Sequence, residues 1–158
     1  MADATFEDGR EAPLNLGALD AEDLKVIATL TQDAVFPVSE MTWQPTRRRF
    51  ALLLNRFRWE DKEAAERRGR EFERVQSLLV FDSVLSVSSQ GVDRSDKDLI
   101  LSVLDIEFHP SDDGTGEVLL VLAGDGAIRL TVEAVDATLK DVTRPYRAPS
   151  GKAPRHPD

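Results

Sequence analysis

Apolar and polar side chains alternate with a period of two in several stretches of the chain, the pattern of strands with one buried face. The strongest stretch is 48–59. One parity carries Phe50, Leu52 and Leu54, then Arg56 and Arg58; the other carries Ala51, Leu53, Asn55, Phe57 and Trp59. Its first half reads as buried on both sides. Gln44-Pro45-Thr46-Arg47 before it is turn chemistry, so the run pairs as a hairpin with Met41-Thr42-Trp43. Pro37 restricts 34–43 to an edge strand or two short ones, because proline cannot donate to a central ladder.

Residues 75–87 are rich in branched apolar side chains and predict two strands or one bent strand. In 99–108, Leu104, Ile106 and Phe108 fall on one face and Asp105, Glu107 and His109 on the other. Val118 to Leu122 and Ile128 to Val132 flank Gly124-Asp125-Gly126 as a hairpin.

Two stretches carry helical spacing instead. Asp20 is placed to cap a helix over 21–30, with Leu19 facing Leu24 as a hydrophobic staple and Leu24, Ile27, Ala28 and Thr31 on one face. Val135, Leu139 and Val142 predict a short closing helix. Tight turns between successive strands impose antiparallel pairing, since a parallel pair needs a long crossover. The expected fold is therefore α+β: a mainly antiparallel, strongly curved sheet or partly closed barrel of six to seven strands, with an N-terminal helix and a short C-terminal helix.

The same pass divides the chain. Residues 1–18 read as a flexible acidic lead-in, 19–143 as a single α+β domain, and 144–158 as a disordered, Pro-rich basic tail. Within the domain, eleven of the fifteen positions in 60–74 are charged with both signs mixed, which predicts a surface excursion.

Composition narrows the chemistry. The 158 residues suffice for one domain with a core and leave little room for two. The absence of cysteine excludes a disulfide scaffold, a Cys-ligated metal site and thiol catalysis. An acidic N-terminus is unlike a signal peptide, and no apolar run reaches the roughly 18 residues of a membrane span, so a cytoplasmic location away from membranes is expected. A formal net charge of −9 disfavours nucleic acid unless the cations are segregated. They are in part: Arg47, Arg48, Arg49, Arg56 and Arg58 lie within twelve residues that hold no acid.

Most candidate sites reduce to ordinary structure. Gly114-Thr115-Gly116 and Gly124-Asp125-Gly126 join strands and lack the phosphate-loop pattern. Asp93, Asp96 and Asp98 have the wrong spacing for a calcium loop and are interleaved with Arg94 and Lys97. His109 has no nucleophile motif beside it, and Asp105 with Glu107 share a strand face as any exposed sheet does. No cofactor motif is present, and none is expected.

The arginine strand is the feature that carries a hypothesis. Arg56 and Arg58 follow apolar residues of the same parity, so their guanidinium groups project near the rim of the core, with Arg49 at the other end and Trp59 adjacent. Pairing with the surplus of acids is the ordinary outcome. Arg49, Arg56, Arg58 and Trp59 otherwise form a site for a small anion or an acidic protein partner. The expected function is a non-catalytic binding or regulatory domain. The alternatives are an enzyme in which Arg56 and Arg58 clamp an anionic metabolite and Asp105 or Glu107 is the base, and weak RNA binding. A homo-oligomer stays open.

Asp33-Ala34-Val35, the run 48–60, Gly91-Val92-Asp93-Arg94-Ser95-Asp96 and the run 126–133 resemble a family of uncharacterised single-domain bacterial proteins, a domain-of-unknown-function family with no assigned activity. The resemblance implies kinship and adds no catalytic residue.

Overall fold

The computed structural model describes residues 13–113, 115–147 and 154. Its strands are β1 (Asn15–Ala18), β2 (Val35–Pro37), β3 (Met41–Gln44), β4 (Arg49–Phe57), β5 (Glu73–Phe81) and β6 (Val84–Gln90). They continue as β7 (Ile100–Pro110), β8 (Gly116–Leu122), β9 (Ala127–Val132), β10 (Ala137–Asp141) and β11 (Tyr146–Arg147). The helices are α1 (Ala21–Leu30) and α2 (Lys62–Arg68), with short 3-10 turns at Val38–Glu40, Pro45–Arg47 and Trp59–Asp61.

These strands form one sheet in the order β1-β10-β5-β4-β2-β7-β8-β9-β6, with β3 on β4 and β11 on β5. Every pairing is antiparallel. The core lies on its inner face, where Phe50, Leu52 and Leu54 of β4 and Leu79 and Phe81 of β5 meet Leu120, Leu130 and Val132, under Leu24 and Ile27 of α1.

This corrects the expected architecture. Among the described residues eleven strands replace six or seven, only two short helices are present, and the sheet does not close into a barrel. The first helix is preceded by β1, and the expected closing helix is β10. In β10, Ala137, Leu139 and Asp141 are buried while Thr138 and Lys140 are exposed, a period of two. Ladder bonds to β5 on one side and β1 on the other hold it extended, which outweighs the spacing of Val135, Leu139 and Val142.

Helix α1 starts where Asp20 Oδ1 accepts the Asp23 N–H at 2.8 Å and buries Leu24, Ile27 and Ala28. The staple does not form, since Leu19 is 75% exposed. Two β-bulges re-aim side chains. One between Val103 and Asp105 turns Leu104 outward while Val103 and Ile106 stay buried; the other, between Val84 and Ser86, exposes Leu85 and keeps Val84 inside. The β8–β9 turn passes through Gly124 and Asp125, both with φ in the left-handed region, as a tight hairpin of right-twisted strands requires.

The expected lead-in and tail fall largely outside the described residues. At their inner ends, β1 pairs with β10 and β11 pairs with β5. The charged stretch 60–74 holds α2, which ends at Gly69 with φ +65°. No helix among the described residues is long and apolar enough to cross a membrane.

Candidate functional site

Register places Arg56 opposite Val75 on β5, and its parity turns the side chain to the inner face, where it is fully buried. Its guanidinium is then wholly engaged. Nε donates to Ser77 Oγ at 2.9 Å, Nη1 to Glu60 Oε1 at 2.9 Å, and Nη2 to Glu60 Oε2 at 2.8 Å and Asp141 Oδ1 at 2.9 Å. The Ser77 hydroxyl donates to the same Asp141 oxygen at 2.6 Å, and Asp141 Oδ2 accepts the Leu14 N–H at 2.9 Å. Burial alone would pull the Arg56 pKa down. The hydrogen bonds and attraction of Glu60 and Asp141 outweigh it and hold the group above its ordinary value.

Arg58, also buried, reaches Glu73 Oε1 at 2.5 Å and Asp61 Oδ2 at 3.5 Å. Arg70 grips the buried Asp61 through both carboxylate oxygens at 2.6 Å. The structure thus brings Arg56 and Arg58 together with Arg70 among Glu60, Asp61, Glu73 and Asp141. Arg49 lies elsewhere, donating to Asp82 Oδ1 at 2.8 Å, and Trp59 Nε1 donates to Gln32 O at 3.0 Å while its ring meets Phe57 edge-on.

A second arrangement forms where the sheet fails to close. Strands β3 and β6 flank an open seam, because among the described residues each is paired along one edge only, to β4 and β9 respectively. Beside one end of the seam β6 is tied to the residue before β4 by Val84 N–H donating to Arg48 O at 2.9 Å, and beside the other the β2–β7 ladder runs on past Pro37–Ile100 with Val38 N–H donating to Leu99 O at 2.9 Å. Along the seam lies a cleft of about 440 Å³. Its floor is apolar, made by Val38, Met41, Trp43, Phe50, Val87 and Ile128. Ser39 and Ser89 add hydroxyls, and Arg94 and Lys97 line it from the loop 91–99.

That loop is held by its own side chains. Asp93 Oδ1 accepts the Ser95 N–H at 3.0 Å and its hydroxyl at 2.5 Å, and Asp96 Oδ1 accepts the Asp98 N–H at 3.2 Å. The Ser95 hydroxyl, then its N–H, hold the Asp93 carboxyl below its ordinary pKa. Val92 and Leu99 anchor the two ends against the core, and Arg94 and Lys97 are exposed. Among the described residues neither cation has a carboxylate within 4.0 Å, whereas Arg48, Arg49, Arg56, Arg58 and Arg70 all do.

Arg94, Lys97, Met41 and Trp43 were not legible as a site from sequence, because the floor is assembled from β3, β4, β6 and β9. Only the two cations within a loop dense in aspartate gave any signal. Asp105 and Glu107 line a different groove, of about 600 Å³, between α1 and β7. It holds Lys25 and no arginine. There Asp105 Oδ1 accepts the Ile106 N–H at 2.8 Å, and Glu107 lies 2.9 Å from His109 Nε2.

Residues 14–156 match a family described as "Protein of unknown function (DUF2948)". No curated protein and no solved structure matches the chain.

Proposed function

The chain belongs to this family, whose description assigns no chemistry, and from the geometry we propose a non-catalytic binding module that holds a small anionic ligand in the seam between β3 and β6. Arg94 and Lys97 are the head-group contacts, and Met41, Trp43 and Val87 form the wall. One observation carries this reading: two cations that have no carboxylate within 4.0 Å among the described residues line a preformed apolar cleft in a chain of net charge −9. The cleft volume falls within the roughly 300–1,000 Å³ of small-molecule sites, and such sites combine apolar walls with a few polar groups that orient the ligand. On this reading Arg56, Arg58 and Trp59 support the sheet and Arg49 braces the start of β4; none contacts the ligand.

The test is a titration of the ¹⁵N-labelled protein with acetate and with inorganic phosphate at low salt. Amide shifts are expected at residues 38–43, 87–89 and 94–97, and the double variant Arg94→Ala/Lys97→Ala loses them. Shifts confined to the surroundings of Arg56 and Arg58, or none at all, would overturn the reading.

A further inference from the structure

We infer that the ligand of the seam is a single-chain amphiphile, an alkyl chain ending in a carboxylate, an inference that rests on the seam reading above and narrows it. The cleft is polarised. Its floor presents Phe50 and Ile128, both buried, beneath the half-buried Met41, Trp43 and Val87, while its charged groups stand together on the loop 91–99. A compact, fully polar anion satisfies the loop and leaves Met41, Trp43 and Val87 in contact with water. A purely apolar ligand covers them and leaves the cations unmatched. A linear amphiphile satisfies both ends at once.

The charge of the head follows from the same loop. Arg94 and Lys97 are outnumbered there by Asp93, Asp96 and Asp98, so a monoanion is held more readily than a dianionic phosphate. Arginine suits it, because the planar guanidinium matches a carboxylate fork. The lining runs along one side from Val38 through Met41 to Trp43 and along the other from Val87 to Ser89, which favours an extended chain over a branched or fused-ring body.

The experiment is calorimetric titration of the full chain with butanoate, hexanoate, octanoate and decanoate, all below their micellar concentrations, with 1-octanol as the uncharged control. Affinity is expected to rise about fourfold per added methylene until the cleft is filled. Octanoate is expected to bind at least tenfold more tightly than octanol. Arg94→Ala/Lys97→Ala removes that preference and keeps the dependence on chain length, and Val87→Asn does the reverse. Both substitutions of the pair lie on an exposed loop, so the double variant keeps its fold.

Equal affinity for butanoate and decanoate, abolished in the double variant, would overturn the amphiphile and leave the anion site standing. Chain-length dependence indifferent to the double variant would overturn the carboxylate head. Absence of binding by every acid, together with no response to acetate or phosphate, would overturn both this inference and the reading beneath it.

Discussion

Arg56 Nη2 on β4 lies 2.9 Å from Asp141 Oδ1 on β10, joining across β5 two strands that share no ladder bond. Both side chains are buried, and the same carboxylate takes the Leu14 N–H just before β1. One ion pair therefore ties three strands and the chain's entry into the sheet. Removing one partner of such a pair strands a charge in low dielectric, which costs far more than the pair gains when it forms. Arg56→Met is expected to lower the free energy of unfolding by about 3–5 kcal/mol, measured by urea denaturation. Arg56→Lys is expected to recover little, because a single ammonium cannot serve Ser77, Glu60 and Asp141 together. A loss below about 1 kcal/mol, the worth of an exposed pair, would contradict this account.

Gly116 opens β8 directly against Phe108. A Cβ there would stand 2.5 Å from Phe108 Cε1 and 2.9 Å from His109 O, and the backbone oxygen cannot step aside. Gly116→Ala is expected to cost about 1–3 kcal/mol through overpacking. Adding Phe108→Leu removes the ring and should return part of that loss, so thermal melts of the single and double variants test the contact as a cycle.

The Asp93 carboxyl is held below its ordinary pKa by the Ser95 hydroxyl and N–H. Because the folded value is depressed, the stabilisation is fully present above the unfolded pKa and is lost as pH falls through the folded one. Ser95→Ala removes the larger of the two hydrogen bonds, so the Asp93 carboxyl is expected to titrate at higher pH in this variant. Side-chain carboxyl NMR reads the change. An unchanged midpoint would show that Ser95 does not hold the loop.

How far the chain was legible depended on where each element finds its partners. Helix α1 was legible because its signals are local: Asp20 caps it, and Leu24, Ile27 and Ala28 lie on one face within three turns. Strand β4 was legible because its apolar residues outnumber every alternative. Strand β10 was not, because Asp141 sits on its buried parity and breaks the visible alternation, and the groups that explain its burial, Arg56, Ser77 and the Leu14 N–H, are all distant in sequence. The bulge at Leu104 likewise gave no sign in sequence, since the extra residue is itself apolar. Arg56 was rightly placed on the apolar parity, but the four carboxylates of its cluster converge only in the folded sheet. The seam has the same character. Its cations lie in one short loop, separated by Ser95 and Asp96, while its floor comes from Trp43, Val87 and Ile128, which no local pattern connects.

Trp43 lines the seam, and Trp59 is anchored on Gln32 at 3.0 Å. Octanoate is therefore expected to change the emission of Trp43 alone. Trp43→Phe should abolish the fluorescence response, and Trp59→Phe should keep it while costing about 0.5–1.5 kcal/mol of stability for the lost indole hydrogen bond. The reverse pattern would move the site to the arginine strand.

The measurement that tests the central claim most directly is a set of intermolecular nuclear Overhauser contacts between octanoate and the methyl-labelled protein. The seam account predicts contacts from the alkyl chain to Met41, Val87 and Ile128, with the carboxylate end nearest the loop 91–99. Contacts to Leu24, Ala28 and Ile106 of the α1–β7 groove, or none to any of the seam methyls at saturating octanoate, would contradict it.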